Sequence, residues 1–505
     1  MIGNSPAEYV FIRVSIFCLH YFPLLVIAAL VVLLLVDHNA HSLILILQAI
    51  AIAEAIFYVL IFLPRYHLCQ RRARFPQLHT QEERKKLFQK GLEHISDPEQ
   101  YISKWCLNAP LASIRHENVK DFYCWALFNK IGWGPEEDGE LEDYTDKLEQ
   151  SLGVKLQAGR GPAKPLRLTL EPVNILYRPL LWYMIIATVD LYVYGYLVLA
   201  GFRHYRLALS RLVQQIPLRL ISLTALKVSP APSMSYWIRP HTSRTRKPIV
   251  FIHGVGIGLW PYITFLKEIN KRYWTDDGQI GIIAIELMPI CARVTPECPD
   301  QTTLCRDIMA ILRQHQAWQE FVLVSQSYGT VIAANMMKND EIAQHISSVV
   351  LIDPINFLLH LPDIAYNFTR RQPRRANEHQ LWYFACTDIM IAHTIARHFF
   401  WTENILWKED IRKWNTTVVL GGQDLIVPVD AVGKYLVEDE PAYERFLNEG
   451  DVGVEASDGW KERQWKGEGL DVLWLDHCDH AQSFENRRDY GRIIDIIRSY
   501  SADVE

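Results

Sequence analysis

The chain has 505 residues, half of them apolar, with 52 Lys and Arg against 57 Asp and Glu. That composition excludes disordered, collagen-like and disulfide-miniprotein classes, and a formal net charge of −5 leaves no basic surplus for nucleic acid. Nine cysteines without a tight C-x-x-C pair argue against a zinc ribbon or thioredoxin-type site, and the length allows two or three domains.

Residues 10–36 and 43–63 are two almost uninterrupted apolar runs, each long enough to cross a hydrocarbon core of about 30 Å. They predict two spanning helices, a transmembrane anchor over 1–64. The connecting turn 37–41 has no Lys or Arg, whereas Arg65, Arg71, Arg72 and Arg74 crowd the exit of the second run. The positive-inside rule puts that exit, and the N-terminus, on the cytosolic side. An endomembrane such as the endoplasmic reticulum is the expected location.

Residues 65–175 read as a soluble helical module. Thr80 with Glu83 has the capping-box spacing, and Asp97-Pro98-Glu99 is a helix start. His116 and Asp121 have an H-x4-D spacing, but they sit in a helical pattern without further acyltransferase motifs. A third apolar run, 179–202, carries Asp190 near its middle, which costs about 2.5 to 3.5 kcal/mol if it faces lipid. Within 176–230 this run is therefore expected either to span or to lie at the interface. Beyond it, Leu209, Leu212, Val213, Ile216 and Leu220 recur at helical spacing up to Pro217 and just past it, an amphipathic surface helix.

From residue 231 the texture changes to short apolar runs at 236–239, 249–252, 280–287, 321–325, 348–352, 416–420 and 471–475, separated by helical stretches. Continuous apolar strands alternating with helices predict an α/β fold with a mostly parallel, doubly wound sheet, whose ligands bind beyond the strand C-termini.

Four of those strand ends carry chemistry. The run at 249–252 leads into His253-Gly254-Val255-Gly256-Ile257-Gly258, a glycine-rich turn whose N–H groups can meet an oxyanion. It lacks the spacing of a dinucleotide fingerprint. The run at 321–325 leads through Gln326 into Ser327-Tyr328-Gly329, a strand-to-helix elbow in which Ser325 replaces the first glycine of G-x-S-x-G. A serine hydroxyl needs a base held by a carboxylate. Asp424, after the strand at 416–420, and His480, after the last strand, complete the order Ser, Asp, His. Asp353 in the LIDP segment is an alternative acid, and His477 an alternative base. The H-x-x-H pair has no third metal ligand in view, so no metal or organic cofactor is expected.

The set HGVGIG, SQSYGT, LIDP, GGQDLIVP and DHAQSF resembles the α/β-hydrolase superfamily over about 230–505, and the whole chain resembles membrane-anchored fungal proteins of that fold with unassigned substrate. The resemblance implies a Ser327, Asp424, His480 triad, an oxyanion hole from Val255 or Gly256 plus Tyr328, and a helical cap at about 355–411. The cap is rich in aromatics, as expected over an acyl pocket. The expected activity is a serine hydrolase of the lipase or esterase kind acting on an apolar, lipid-like ester beside a membrane. Acyl transfer by the same triad and a catalytically silent scaffold are the competing readings. The sequence carries no signal for an oligomeric state.

Overall fold

The computed structural model describes residues 1–36, 40–269, 277–438 and 456–502. The turn at 37–41 and the acidic stretch 438–468, which reads as a surface insertion, lie partly outside them.

Nine strands form one mixed sheet: β1 (Arg203–Arg206), β2 (Lys227–Val228), β3 (Ser235–Arg239), β4 (Ile249–Ile252), β5 (Ile282–Glu286), β6 (Phe321–Gln326), β7 (Ile346–Ile352), β8 (Asn415–Gly421) and β9 (Leu470–Leu475). Their order is β2-β1-β3-β5-β4-β6-β7-β8-β9. From β5 to β9 every neighbouring pair is parallel, whereas β3 runs antiparallel to both β5 and β1. The first two strands were not foreseen, since RHYR and KV are too short and too charged to read as sheet.

The parallel strands are apolar throughout because both faces are covered. Val250 and Ile252 of β4 pack on one side with the helices Gln301–Arg313 and Tyr328–Lys338, while Ile249 and Phe251 pack on the other with Ile263–Glu268 and Arg487–Ser501. From β4 the chain steps to β5 on one side, then crosses back to β6 on the other. The gap between β4 and β6 is thus the topological switch point, where loops splay apart and leave a crevice.

The helices Gln81–Glu93, Pro98–Trp105, His116–Phe128 and Pro135–Leu152 make up the N-terminal helical module. Their Phe88, Trp105, Phe122 and Tyr144 belong to the same buried cluster as Leu359 and Trp407 from the segment between β7 and β8. His116 and Asp121 are taken up in contacts with Glu142 and Arg160.

The first apolar run is not one straight helix. Pro6–His20 and Phe22–Val36 meet at an angle of 67°. Pro23 is the cause, because it has no N–H for the Leu19 carbonyl and its ring crowds that oxygen. Pro6–His20 then folds back on the protein, burying Ile12, Ile16 and Leu19 against Tyr383 and Met390. Phe22–Val36 packs beside the helix His41–Phe57.

Among the described residues two helices are long and apolar enough to cross a membrane, His41–Cys69 and Leu180–Leu199, with a third candidate if the bent pair counts as one span. Asp190 of Leu180–Leu199 does not face outward. Trp182, Ile186, Asp190, Val193 and Leu197 form one buried stripe along the whole helix, and Asp190 bonds the Arg293 guanidinium, with Arg219 Nε 3.7 Å away. Glu54, midway along the other long helix, is also turned inward, accepting the Tyr177 hydroxyl at 2.5 Å and the Leu180 N–H at 3.1 Å. The amphipathic helix expected at 209–220 is only Leu209–Leu212, followed by an irregular stretch with a cis Ile216-Pro217 bond.

Candidate active site

The Gln326–Tyr328 elbow stands at the switch point. The chain leaves β6 and enters the helix Tyr328–Lys338 through Ser327 at φ 50°, ψ −121°, a conformation that non-glycine residues adopt only under constraint. The turn is tight enough that a Cβ on Gly329 would lie 2.4 Å from the Ile252 carbonyl oxygen, so no larger residue fits there. Gly254 is also confined, since its Cβ would fall 2.8 Å from Ser327 Cβ and 3.1 Å from the Gln326 carbonyl oxygen. Ser325, where the usual motif has glycine, is fully buried on β6, and its hydroxyl finds no partner among the described residues.

Opposite Ser327 stands His480, in the loop after β9. Its Nε2 is 2.8 Å from Ser327 Oγ, and its Nδ1 is 2.7 Å from Asp424 Oδ2. Asp424, in the turn after β8, is wholly covered and accepts the N–H groups of Ile426 and Val427 at 2.7 and 2.9 Å through its other oxygen. A carboxylate so held accepts the Nδ1–H, so that in the neutral imidazole Nε2 is the acceptor facing the serine hydroxyl.

The two alternatives from the sequence lie elsewhere. His477 sits on the surface with its Nε2 3.0 Å from Asp489 Oδ2 and its side chain 57% exposed. Asp353 is buried near the site but does not bond the imidazole. Its Oδ2 accepts the Ala481 N–H at 2.8 Å and Gln326 Nε2 at 3.4 Å, bracing the loop that carries His480.

Of the oxyanion donors, the Gly256 N–H is already given to the Ile290 carbonyl at 3.1 Å. The Val255 N–H has no acceptor among the described residues, and the Tyr328 N–H belongs to the open first turn of its helix. Those two are free for a developing negative charge. His253 steadies the turn. It is fully buried, receives the Leu287 N–H on Nε2 at 3.2 Å and directs Nδ1 to the Gly254 carbonyl at 2.7 Å.

Several of these supports carry no sequence signal. Asp479 accepts the His480 N–H at 2.7 Å and the Leu425 N–H at 3.1 Å on one oxygen, and Asn377 Nδ2 at 2.6 Å on the other. Burial opposes a charge on His480, but Asp424, Asp353 and Asp479 around it win, and together push its pKa up to about 9. Burial, with the Asp424 charge against the relief from His480, pushes Asp353 up to about 6. Burial likewise raises Asp479.

Two spaces meet at Ser327. A cleft of about 1100 Å³ runs outward from Ser327 and His480, between the helices Pro6–His20 and Leu180–Leu199. Behind the serine lies an apolar pocket of about 30 Å³, closed by Ile355, Ile395 and Phe399, with room for a small group only. His477, Cys478 and Asp489 bring three ligand atoms within 4.8 Å of one another. There His477 and Asp489 bond each other, and burial pushes the Cys478 thiol up to about 12.

No family model matches this chain, and neither does any curated protein. Among solved structures it is similar to a membrane phospholipase A described as a novel bacterial virulence factor, at 15% identity and a TM-score of 0.35, over 63% of this chain and 94% of that one. Naproxen esterase (carboxylesterase NP) from Bacillus subtilis is similar at 12% identity and a TM-score of 0.32, over 52% of this chain and 86% of its own. Esterase RhEst1 from Rhodococcus sp. is similar at 15% identity and 0.33, over 53% and 96% respectively.

Proposed function

We propose that the chain is a membrane-anchored serine hydrolase of the α/β-hydrolase type, cleaving a carboxylic ester of an apolar, lipid-like compound. The observation that carries this reading is the Ser327 Oγ to His480 Nε2 separation of 2.8 Å, with the other imidazole nitrogen held by Asp424.

The chemistry follows from that arrangement. Ser327 Oγ adds to the ester carbonyl carbon as His480 Nε2 takes the hydroxyl proton. The carbonyl oxygen becomes an oxyanion between the N–H groups of Val255 and Tyr328. Collapse of the adduct breaks the bond to the alkoxy oxygen, which leaves as an alcohol with the proton from His480 and leaves the acyl group on Ser327. Water, deprotonated by the same nitrogen, then releases the acid and restores the serine. Asp424 keeps the imidazole in one tautomer throughout and balances its transient charge.

The anchoring half of the reading is supported by His41–Cys69, a 29-residue helix longer than a hydrocarbon core is thick, whose most apolar 18-residue stretch has a mean hydropathy of 2.5. The test is labelling of detergent-solubilised protein by a fluorophosphonate. Native protein is expected to be labelled and Ser327→Ala not. A well-folded native chain that stays unlabelled overturns the proposal.

A further inference from the structure

We propose that the cleft opens into the bilayer and that the substrate is an ester lipid, which reaches Ser327 sideways from the membrane with its long apolar arm still among the lipid chains. The proposal rests on the ester-hydrolase reading and adds to it the source and route of the substrate.

Three observations carry it. The first is the composition of the cleft rim. On one side stands Pro6–His20 with Phe11, 64% exposed; on the other stand Ile185 and Tyr192 of Leu180–Leu199, and Trp260 after β4. Tyr192 and Trp260 meet edge to face at 5.0 Å, a pair of rings of the kind that settles at headgroup level. Rings and branched chains around the mouth of an aqueous cleft would be left in water; around a mouth pressed on lipid they are buried.

The second is the direction of the ionisable groups. The two membrane-length helices carry one acid each within their apolar stretch, Glu54 and Asp190, and both point into the protein to named partners. The outward faces are mostly apolar, with Leu45, Ile52, Leu191 and Leu199 exposed. A helix in water has no reason to hide its only carboxylates and display its leucines, whereas a helix against lipid does.

The third is continuity. Leu180–Leu199 is docked along its length, first through Trp182, Tyr183 and Ile186 against Phe57, Tyr383 and Met390, then through Val193 and Leu197 on the sheet, and its Ile185 and Tyr192 line the cleft. Tyr194 ties it to the segment after it through Thr224 at 2.8 Å. That segment exposes Val213, Leu220 and Leu226, the last at 97%. Helix and segment thus both hold large apolar side chains out of the protein, and the helix brings that exposed face to the cleft through Ile185 and Tyr192. A cleft of about 1100 Å³ holds a lipid-sized ligand.

The test uses the full chain reconstituted in phosphatidylcholine vesicles, with a fluorogenic long-chain ester lipid in the membrane and 4-nitrophenyl acetate in the water as paired substrates. Leu199→Asp combined with Leu226→Asp, neither of which lines the cleft, is expected to lower cleavage of the membrane ester by about tenfold or more while the soluble ester changes by less than about twofold. As a second measurement, Cys18, an exposed thiol lining the cleft, is capped with a polyethylene-glycol maleimide in detergent before reconstitution, Cys18→Ser serving as control. The cap is expected to slow the membrane ester far more than the soluble one. Unchanged cleavage of the membrane ester in both experiments, with Ser327 still labelled by fluorophosphonate, overturns the lateral route and leaves the hydrolase reading standing. Loss of all labelling and all cleavage in the native chain removes the hydrolase reading, and this inference with it.

Discussion

Asp353 accepts the Ala481 N–H at 2.8 Å, one residue beyond His480, and so braces the imidazole from its backbone rather than its ring. Its carboxylate adds to the negative surroundings that favour imidazolium. In Asp353→Asn the amide oxygen still accepts the Ala481 N–H, but the charge is gone. The His480 pKa is expected to fall, moving the pH at which labelling is half-maximal to lower values with the maximal rate nearly kept. A pH series of fluorophosphonate labelling checks this, and an unshifted midpoint rejects it.

In the native chain the same logic fixes the sign of the pH dependence. His480 acts as a base only when neutral, and its surrounding acids hold it protonated up to about 9. Labelling is therefore expected to rise with pH through neutrality, by up to roughly tenfold per unit below that value, and to level off above it. A rate that is flat between pH 6 and 9 counts against His480 as the base.

Asp424→Asn keeps the size of the side chain but offers its amide N–H to Nδ1, so the imidazole turns its proton toward the serine. Turnover of a soluble ester is expected to fall by roughly 10⁴-fold without loss of the fold. Measuring turnover beside a thermal melt separates the two effects.

Ser325 buries a hydroxyl that has no partner among the described residues. Ser325→Ala removes that group from a site it cannot satisfy, and is expected to raise stability by about 1 kcal/mol while Ser327 labelling persists. A melting temperature lower than that of the native protein shows that the hydroxyl has a partner after all.

The pairing of Asp190 with Arg293 is testable by a cycle. Asp190→Leu strands a buried guanidinium and is expected to cost about 3 to 5 kcal/mol, whereas Asp190→Leu with Arg293→Leu restores much of the loss. Equal destabilisation by the single and double changes would mean that the two do not act as a pair.

The parallel strands were legible because each is a short, unbroken apolar run, and a strand buried on both faces has no other way to look. The runs at 249–252 and 416–420 differ from the strands found by a residue or less at each end. The chain order of Ser327, Asp424 and His480 was also readable, because each follows such a run. The choice between Asp353 and Asp424, or between His477 and His480, was not. Both pairs sit at comparable distances from a strand end, and only the path of the loop decides which side chain turns inward. Likewise Val255 and Gly256 are adjacent, and the acceptor that occupies Gly256, the Ile290 carbonyl, belongs to a turn after β5. The bend in the first apolar run was not legible, because hydropathy counts Pro23 as mild and ignores the missing N–H. Asp190 was read as a cost because its partner lies 103 positions downstream, where no local pattern reaches.

The inward turn of Glu54 and Asp190 also orders the making of the protein. A ribosome releases Glu54 long before Tyr177 and Leu180, and Asp190 long before Arg293. Until those partners arrive, each acid must stay in water or at the headgroups, since neither is tolerated among lipid tails. Leu180–Leu199 therefore reaches its final seat only after the β5 region has formed. On the membrane-anchored reading proposed above, attachment matures with the sheet, and a chain cut short before Arg293 would carry the helix but not its seat.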